Sequence, residues 1–397
     1  MQAPARVKCS SVTAASSPFV VRGAQLPSGA TADVWVDGNR RIAPGEVPGA
    51  RVIDAGGRLL APALAEPHAH LDRAFSLEVT GSNRSGTLAE AIHRFDAALG
   101  QMTADTLQPG AQRALQMMDS AGVAHVRTHT AVGGRLGFRA WEAVEVAART
   151  VPQIQVQQVP MPSDPNCHLP NVAAWIREAV ARGGVAVGGA PWLADDPSAA
   201  TRASAELAAE LGIQLDLHVD ETDDPDVSTL LVLADAVQKA GLRGRAVAAH
   251  CCSLGTRPAQ MVRGEVEALA ESDIAVVLLP LSNLALQGRS SGVRGLAPVG
   301  LLRDAGVTLA VGSDNIRDVV VGVGTADPLR AAWLLAIAGH LTDEDGLTWL
   351  SDVVLRQNRA VCGAPSGLLP GDPAELILID AFTAVEAVAL APSRVRL

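Results

Sequence analysis

Apolar residues along the chain gather into short runs separated by longer, alanine-rich stretches. Eight runs have the length and bounding residues of buried strands. They are LLAPALAEPHAH (59–70), VAHVRTHT (123–130), IQVQQVPMP (154–162) and VAVGGAPW (185–192), then IQLDLHVDE (213–221), AVAAHCC (246–252), IAVVLLP (274–280) and TLAVGSDN (308–315). The stretches between them are helical in character. TLAEAIHRFDAALGQM opens on Thr87 with Glu90 three residues later, the pattern of a capping box, and SAATRASAELAAELG is a second such segment. Strands alternating with helices predict an α/β fold, and eight of them predict a (β/α)8 TIM barrel in preference to an open doubly wound sheet. The flanks read differently. PFVVRGAQL, ADVWVDGNRRI and ARVIDAGGRLL near the N-terminus are short β-like pieces punctuated by Gly and Pro, and GDPAELILIDAFTAVEAVAL supplies another near the C-terminus. A small β domain built from both chain ends, residues 1–60 plus 366–397, beside a barrel over 61–365, accounts for them.

The polar residues that interrupt these runs stand at their C-terminal ends, where a barrel of this kind carries its active site. The first run ends in His68-Ala69-His70, the fifth in His218-Val219-Asp220-Glu221, the sixth in His250 and its cysteines, and the eighth in Asp314. Side chains two apart on a strand face the same way, so His68 and His70 can reach one ion. A lone histidine at a strand end is usually a hydrogen-bonded structural residue. Four such groups at the ends of different strands predict a metal site, with His68, His70, His218 and Asp314 as ligands. Three imidazoles and a carboxylate suit one divalent ion, Zn2+ or Fe2+. Glu221 lies beyond the strand end and is the natural general acid/base. His250 is better suited to hold the attacking oxygen than to complete the coordination, because hydrolysis needs an open metal position.

Composition narrows the partners. The chain has 397 residues, 48% of them hydrophobic, and a net charge of −10. That balance argues against nucleic acid and anionic membranes as partners. The five cysteines, Cys9, Cys167, Cys251, Cys252 and Cys362, form no CxxC pair, so neither a disulfide framework nor a zinc ribbon is expected. With no signal-peptide core at the N-terminus and no long apolar run, the expectation is a reduced, cytoplasmic protein. A homo-oligomer is compatible with the sequence.

The motifs carry a resemblance. EPHAHLD (66–72), SGTLAEAI (85–92), HVRTHT (125–130), DLHVDE (216–221), PLSNLALQGR (280–289), GSDNIRD (312–318) and LLPGDPAELILID (368–380) together resemble the amidohydrolase superfamily, and within it the cytosine deaminase-like group. GSDNIRD also resembles N-isopropylammelide isopropylaminohydrolase. The resemblance implies a composite β-sandwich from the two termini, one metal held by His68, His70, His218 and Asp314, and catalytic roles for Glu221, His250 and Asp314. Binuclear members use a carboxylated lysine at the end of the fourth strand. The only lysines here are Lys8 and Lys239, neither in the run 185–192, so a mononuclear site is expected.

The residues around that centre depart from the group. Ser163, with Asp164 beside it, stands where cytosine deaminase has a pyrimidine-reading glutamine. Asn315 replaces the second of two aspartates, and Asp318-Val319-Val320 replaces an Asp-Pro-aromatic segment. Arg317, Gln287, Trp192 and His129 are further candidate pocket residues. A site built for one hydrogen-bonding edge rejects others, so a ring other than cytosine is expected. The function expected is hydrolytic deamination of a small amino-substituted N-heterocycle (a pyrimidine, triazine, pterin or related ring) with release of ammonia. Release of an alkylamine from an N-alkyl ring, or opening of a cyclic amidine, is the alternative within enzymes. A catalytically inactive binding protein on the same fold is the alternative of another class.

Overall fold

The computed structural model describes residues 17–289 and 292–397, so Lys8 and Cys9 lie outside the described residues. Four short strands come first: β1 (Phe19–Gln25), β2 (Thr31–Val36), β3 (Arg51–Asp54) and β4 (Leu59–Pro62). Eight strands follow on the predicted runs: β5 (Leu64–Ala69), β6 (Val123–Val132), β7 (Gln155–Pro162), β8 (Ala186–Gly189), β9 (Gln214–Val219), β10 (Ala246–His250), β11 (Ile274–Leu278) and β12 (Leu309–Val311). They form two all-parallel arcs, β5-β6-β7 and β8-β9-β10-β11-β12. β5, β6, β8 and β10 are buried at every residue, so apolar residues do not alternate with exposed polar ones along them, and the polar side chains of β5 and β6 are buried as well. The last two strands, β13 (Leu376–Ile379) and β14 (Arg394–Arg396), return to the N-terminal sheet in the order β14-β13-β4-β1-β2, with β3 beside β1.

Backbone hydrogen bonds also run between the arcs. Val185 N donates to Gln158 O at 3.0 Å between β7 and β8, and Gly188 permits the approach, since a Cβ there would lie 2.4 Å from Pro160 O. Between β12 and β5, Asp314 N donates to His68 O at 3.0 Å and His70 N to Asp314 O at 3.2 Å.

Two details differ from the sequence expectation. The first apolar run is shared by two sheets. Leu59–Pro62 pair antiparallel with β13, whereas Leu64 onward pairs parallel with β6. The partner changes at Ala63, whose N–H donates to Glu375 O at 2.7 Å while Leu64 N donates to Gly122 O at 2.8 Å. Strand alternation then splits the apolar side chains. Leu59, Ile377 and Ile379 join the main core, while Leu60, Leu376 and Leu378 join a separate cluster with Phe19, Val21 and Val36. Each such buried side chain contributes about 1.5–3 kcal/mol. The second difference is at Thr87. Its hydroxyl accepts from Glu90 N at 3.2 Å, but the Glu90 carboxylate accepts from Ser85 N at 2.5 Å, so half of the reciprocal cap forms. Among the described residues, no helix is long and apolar enough to cross a membrane.

Candidate metal centre and pocket

The side chains that converge at the C-terminal strand ends come from four strands. Glu66 and His68 lie on β5 and His70 directly follows it, all three buried. The Glu66 carboxylate ties this strand to the end of β12 by accepting from Ser313 N at 3.0 Å and from His68 N at 3.1 Å. Burial pushes the Glu66 carboxyl up to about 8. On β9, Asp216 and His218 share a face. At or just past the strand ends, Asp220 (φ 45°), His250 (φ 70°) and Asp314 (φ 58°) adopt left-handed backbone. That conformation costs a non-glycine residue about 1–2 kcal/mol; His250 and Asp314 border the cavity, while the Asp220 carboxylate accepts from Thr229 N at 2.9 Å and fixes the segment after β9.

His70 Nε2 lies 3.1 Å from His218 Nε2. Asp314 Oδ1 lies 3.3 Å from His70 Nε2 and 3.6 Å from His68 Nε2. Donor atoms of His68, His250 and Asp314 fall within 4.8 Å of one another, as do those of His68, His129 and His218. His68 Nε2 and Asp314 Oδ1 are buried without a hydrogen-bond partner among the described residues. Buried polar atoms are nearly always satisfied, and an N/O donor set left open in this way fits a divalent cation. Burial, reinforced by neighbouring positive charge, holds His68, His70 and His218 far below the usual imidazole range. They are therefore neutral and carry free lone pairs at ordinary pH.

The two carboxyls behave differently. Burial raises Asp314 to about 7, against the Ser282 hydroxyl that donates to its Oδ2. Glu221 is pushed well above the usual range by burial and by the charge of Asp314. A carboxyl that holds its proton more tightly than usual suits a general acid. Burial lowers His250 to about 3. Asn283 Nδ2 lies 2.8 Å from His250 Nδ1, so with the amide donating, the imidazole proton sits on Nε2 and faces the centre. Glu221 Oε1 is 3.7 Å from the same Nδ1. The centre opens into a cavity of about 350 Å³ bordered by Leu88, Ile92 and Phe95 of the helix Leu88–Ala98, by Leu136 and Met161, and by Val319 and Val320.

The model of the Amidohydrolase family matches residues 85–396 of this chain. The chain belongs to the amidohydrolase family. This amidohydrolase is 30% identical to pterin deaminase of Rhizobium rhizogenes over 85% of the chain and 78% of that relative. It is 25% identical to N-isopropylammelide isopropyl amidohydrolase of Pseudomonas sp., over 83% of the chain and 82% of the relative. Among solved structures it superposes on 5-methylcytosine deaminase from Klebsiella pneumoniae, liganded with 5-fluorocytosine, with a TM-score of 0.88, 27% identity and coverage of 96% and 95% of the two chains. Membership makes the protein a hydrolytic enzyme acting on C–N bonds, and the His/Asp group is one that could bind a divalent metal.

The candidate pocket residues of the amidohydrolase fall into three groups. Ser163 and Asn315 border the cavity. Others build its surroundings. Asn315 Nδ2 donates to Asp318 at 2.7 Å, and Asp318 also accepts from Val320 N and Val321 N at 2.9 and 3.1 Å, so Asp318 shapes the loop. Gln287 donates to Glu221 O at 3.0 Å and fixes the segment that carries Glu221. Asp164 accepts from Asn166 N at 2.9 Å within a turn. His129 stacks on His68 with ring centroids 4.1 Å apart and lies beneath the centre. Arg317 is exposed, and neither it nor half-buried Trp192 borders the cavity. The sequence reading passed over Ser282 and Asn283, although both lie in PLSNLALQGR. It also passed over Arg73, next to HAHLD, and the wall formed by Leu88–Ala98. No metal-ligand or acid/base pattern marks these positions.

Proposed function

We propose that the enzyme is a mononuclear metal-dependent deaminase that releases ammonia from a small amino-substituted N-heterocycle, within a pterin, triazine or cytosine-like class. One observation carries the reading: the imidazoles of His68, His70 and His218 and the Asp314 carboxylate meet beside the buried Glu221 carboxyl at the floor of one cavity. The relatives named pterin deaminase and 5-methylcytosine deaminase support it. His68, His70, His218 and Asp314 would hold one Zn2+ or Fe2+. When bound, such an ion supplies an acidified water. Asp314 Oδ1 takes the proton from the attacking water. Glu221 donates to the ring nitrogen beside the amino-bearing carbon. His250 Nε2–H holds the oxygen that becomes negative as the carbon turns tetrahedral. Proton transfer onto the exocyclic nitrogen then lets ammonia leave. The apolar residues above the floor keep bulk water from the reacting ring.

The eight parallel strands are read as a closed (β/α)8 barrel, residues 61–365. The sheet from both ends is read as a composite β-sandwich domain, residues 1–60 plus 366–397. The described cysteines are buried and unpaired, which suits a cytoplasmic setting. The acidic balance speaks against a nucleic-acid partner. A second reading, release of an alkylamine, is favoured by the aliphatic wall of Leu88, Ile92 and Leu136 and by the N-isopropylammelide relative. Ammonia and alkylamine assays of metal-loaded protein over pterins, aminotriazines, N-alkylaminotriazines, cytosines and isoguanine test the proposal. Ammonia from one of these rings supports it. Alkylamine as the sole product replaces it with the second reading.

A further inference from the structure

The cavity holds one guanidinium. Arg73 borders it directly after the HAHLD segment, with its side chain 12% exposed. Its Nε donates to Asp72 Oδ1 at 3.3 Å, and Asp72 is fixed in turn by accepting from Ala131 N at 2.9 Å. The guanidinium plane lies over Phe95, 4.8 Å from the ring centroid. Among the described residues its outer edge meets a thioether: Nη2 is 3.9 Å from Met161 Sδ, and sulfur is a weak acceptor. A permanently charged group is thus held on one side by a carboxylate and an aromatic face at the border of the cavity, and among the described residues its Nη1 and Nη2 donate to no oxygen. Its charge reaches the floor, acting on His70, His218, Glu221 and Asp314. A charged donor edge that borders a cavity in this way discriminates strongly for a ligand that fills it. Geometry decides between point and fork recognition, and a planar fork stacked on a ring suits the in-plane oxygen of a flat heterocycle.

We propose that Arg73 is the specificity-determining residue of the pocket, and that it selects rings carrying an oxo oxygen, the amino-oxo heterocycles, over the same rings without it. This rests on the deaminase reading above and narrows its substrate class. A lactam oxygen gathers negative charge when the ring is attacked at the amidine carbon, so the contact strengthens as the reaction proceeds.

The test is equilibrium binding in metal-loaded Glu221→Gln protein, which should retain the ring without turning it over. Two matched pairs serve as probes: pterin against 2-aminopteridine, and isocytosine against 2-aminopyrimidine. The oxo member of at least one pair should bind about 10- to 100-fold more tightly, the span of a charge-assisted hydrogen bond. Adding Arg73→Met should erase that ratio with metal content and Tm retained, and Arg73→Lys should recover part of it. Equal binding within both pairs, equal weakening of both members by Arg73→Met, or no binding of any probe overturns the proposal. Ammonia release by the wild-type enzyme is scored separately. If it is absent on every ring, the deaminase reading falls. If it is present without an oxo preference, only the role of Arg73 falls.

Discussion

The floor and the walls of this cavity are built in different ways. The floor is made of side chains at the ends of β5, β9, β10 and β12, where the backbone is clamped by parallel ladders and by Glu66. The walls come from the helix Leu88–Ala98, the segment after β7 and the loop 315–321, whose shapes depend on local bonds such as those around Asp318. Strand ends fix chemistry, and connecting segments fix choice. Substitutions on the floor should therefore abolish turnover, and those on the walls should redistribute it among substrates.

The sharpest contrast comes from His218→Ala, which should lower bound metal and reduce ammonia release to background. Undiminished metal content would place His218 outside the centre. Glu221→Gln should keep the metal and cost on the order of 10³-fold in kcat, the scale of a lost general acid/base. Near-wild-type turnover would remove Glu221 from the proton path. Asn283→Ala should cost about 10- to 100-fold in kcat with little change in KM, since it orients His250 rather than the ring. A KM effect alone would make Asn283 part of the wall. Ile92→Ser should do the opposite, raising KM up to about 10-fold for the most apolar ring while kcat holds, the scale of a small change in apolar contact.

The smallest effect lies far from the cavity. Burial pushes Glu375 up, but the His125 hydrogen bond at 2.7 Å and the Arg359 charge outweigh it and hold the carboxyl below its usual range. A depressed folded-state pKa gives stability that is present above the unfolded value, about 4.3, and lost as pH falls through the folded one. Glu375→Gln should therefore lower Tm by a few degrees at neutral pH and by little at pH 3, read by calorimetry. An equal loss at both pH values would trace the effect to packing.

The sequence made the floor readable because its signals are local. HAH places two imidazoles on one face, and each of His218, His250 and Asp314 closes an apolar run. The eight strands were readable because each is a short β-like run set between longer alanine-rich helical stretches. Ala63 was not, since nothing in LLAPALAEPHAH marks where one sheet ends and the next begins. The walls were least readable. Asp318 and Gln287 are polar residues in recognisable motifs, but their polar atoms are spent on backbone groups rather than directed at the cavity. Arg73 and Phe95 meet only through tertiary packing, across 22 positions of chain.

Titration of metal-free enzyme with Zn2+ or Fe2+, following ammonia release, tests the account's central claim. The account predicts that activity rises to a plateau at one equivalent per chain. A plateau at two equivalents, or no ammonia from any amino-heterocycle at full loading, would contradict it.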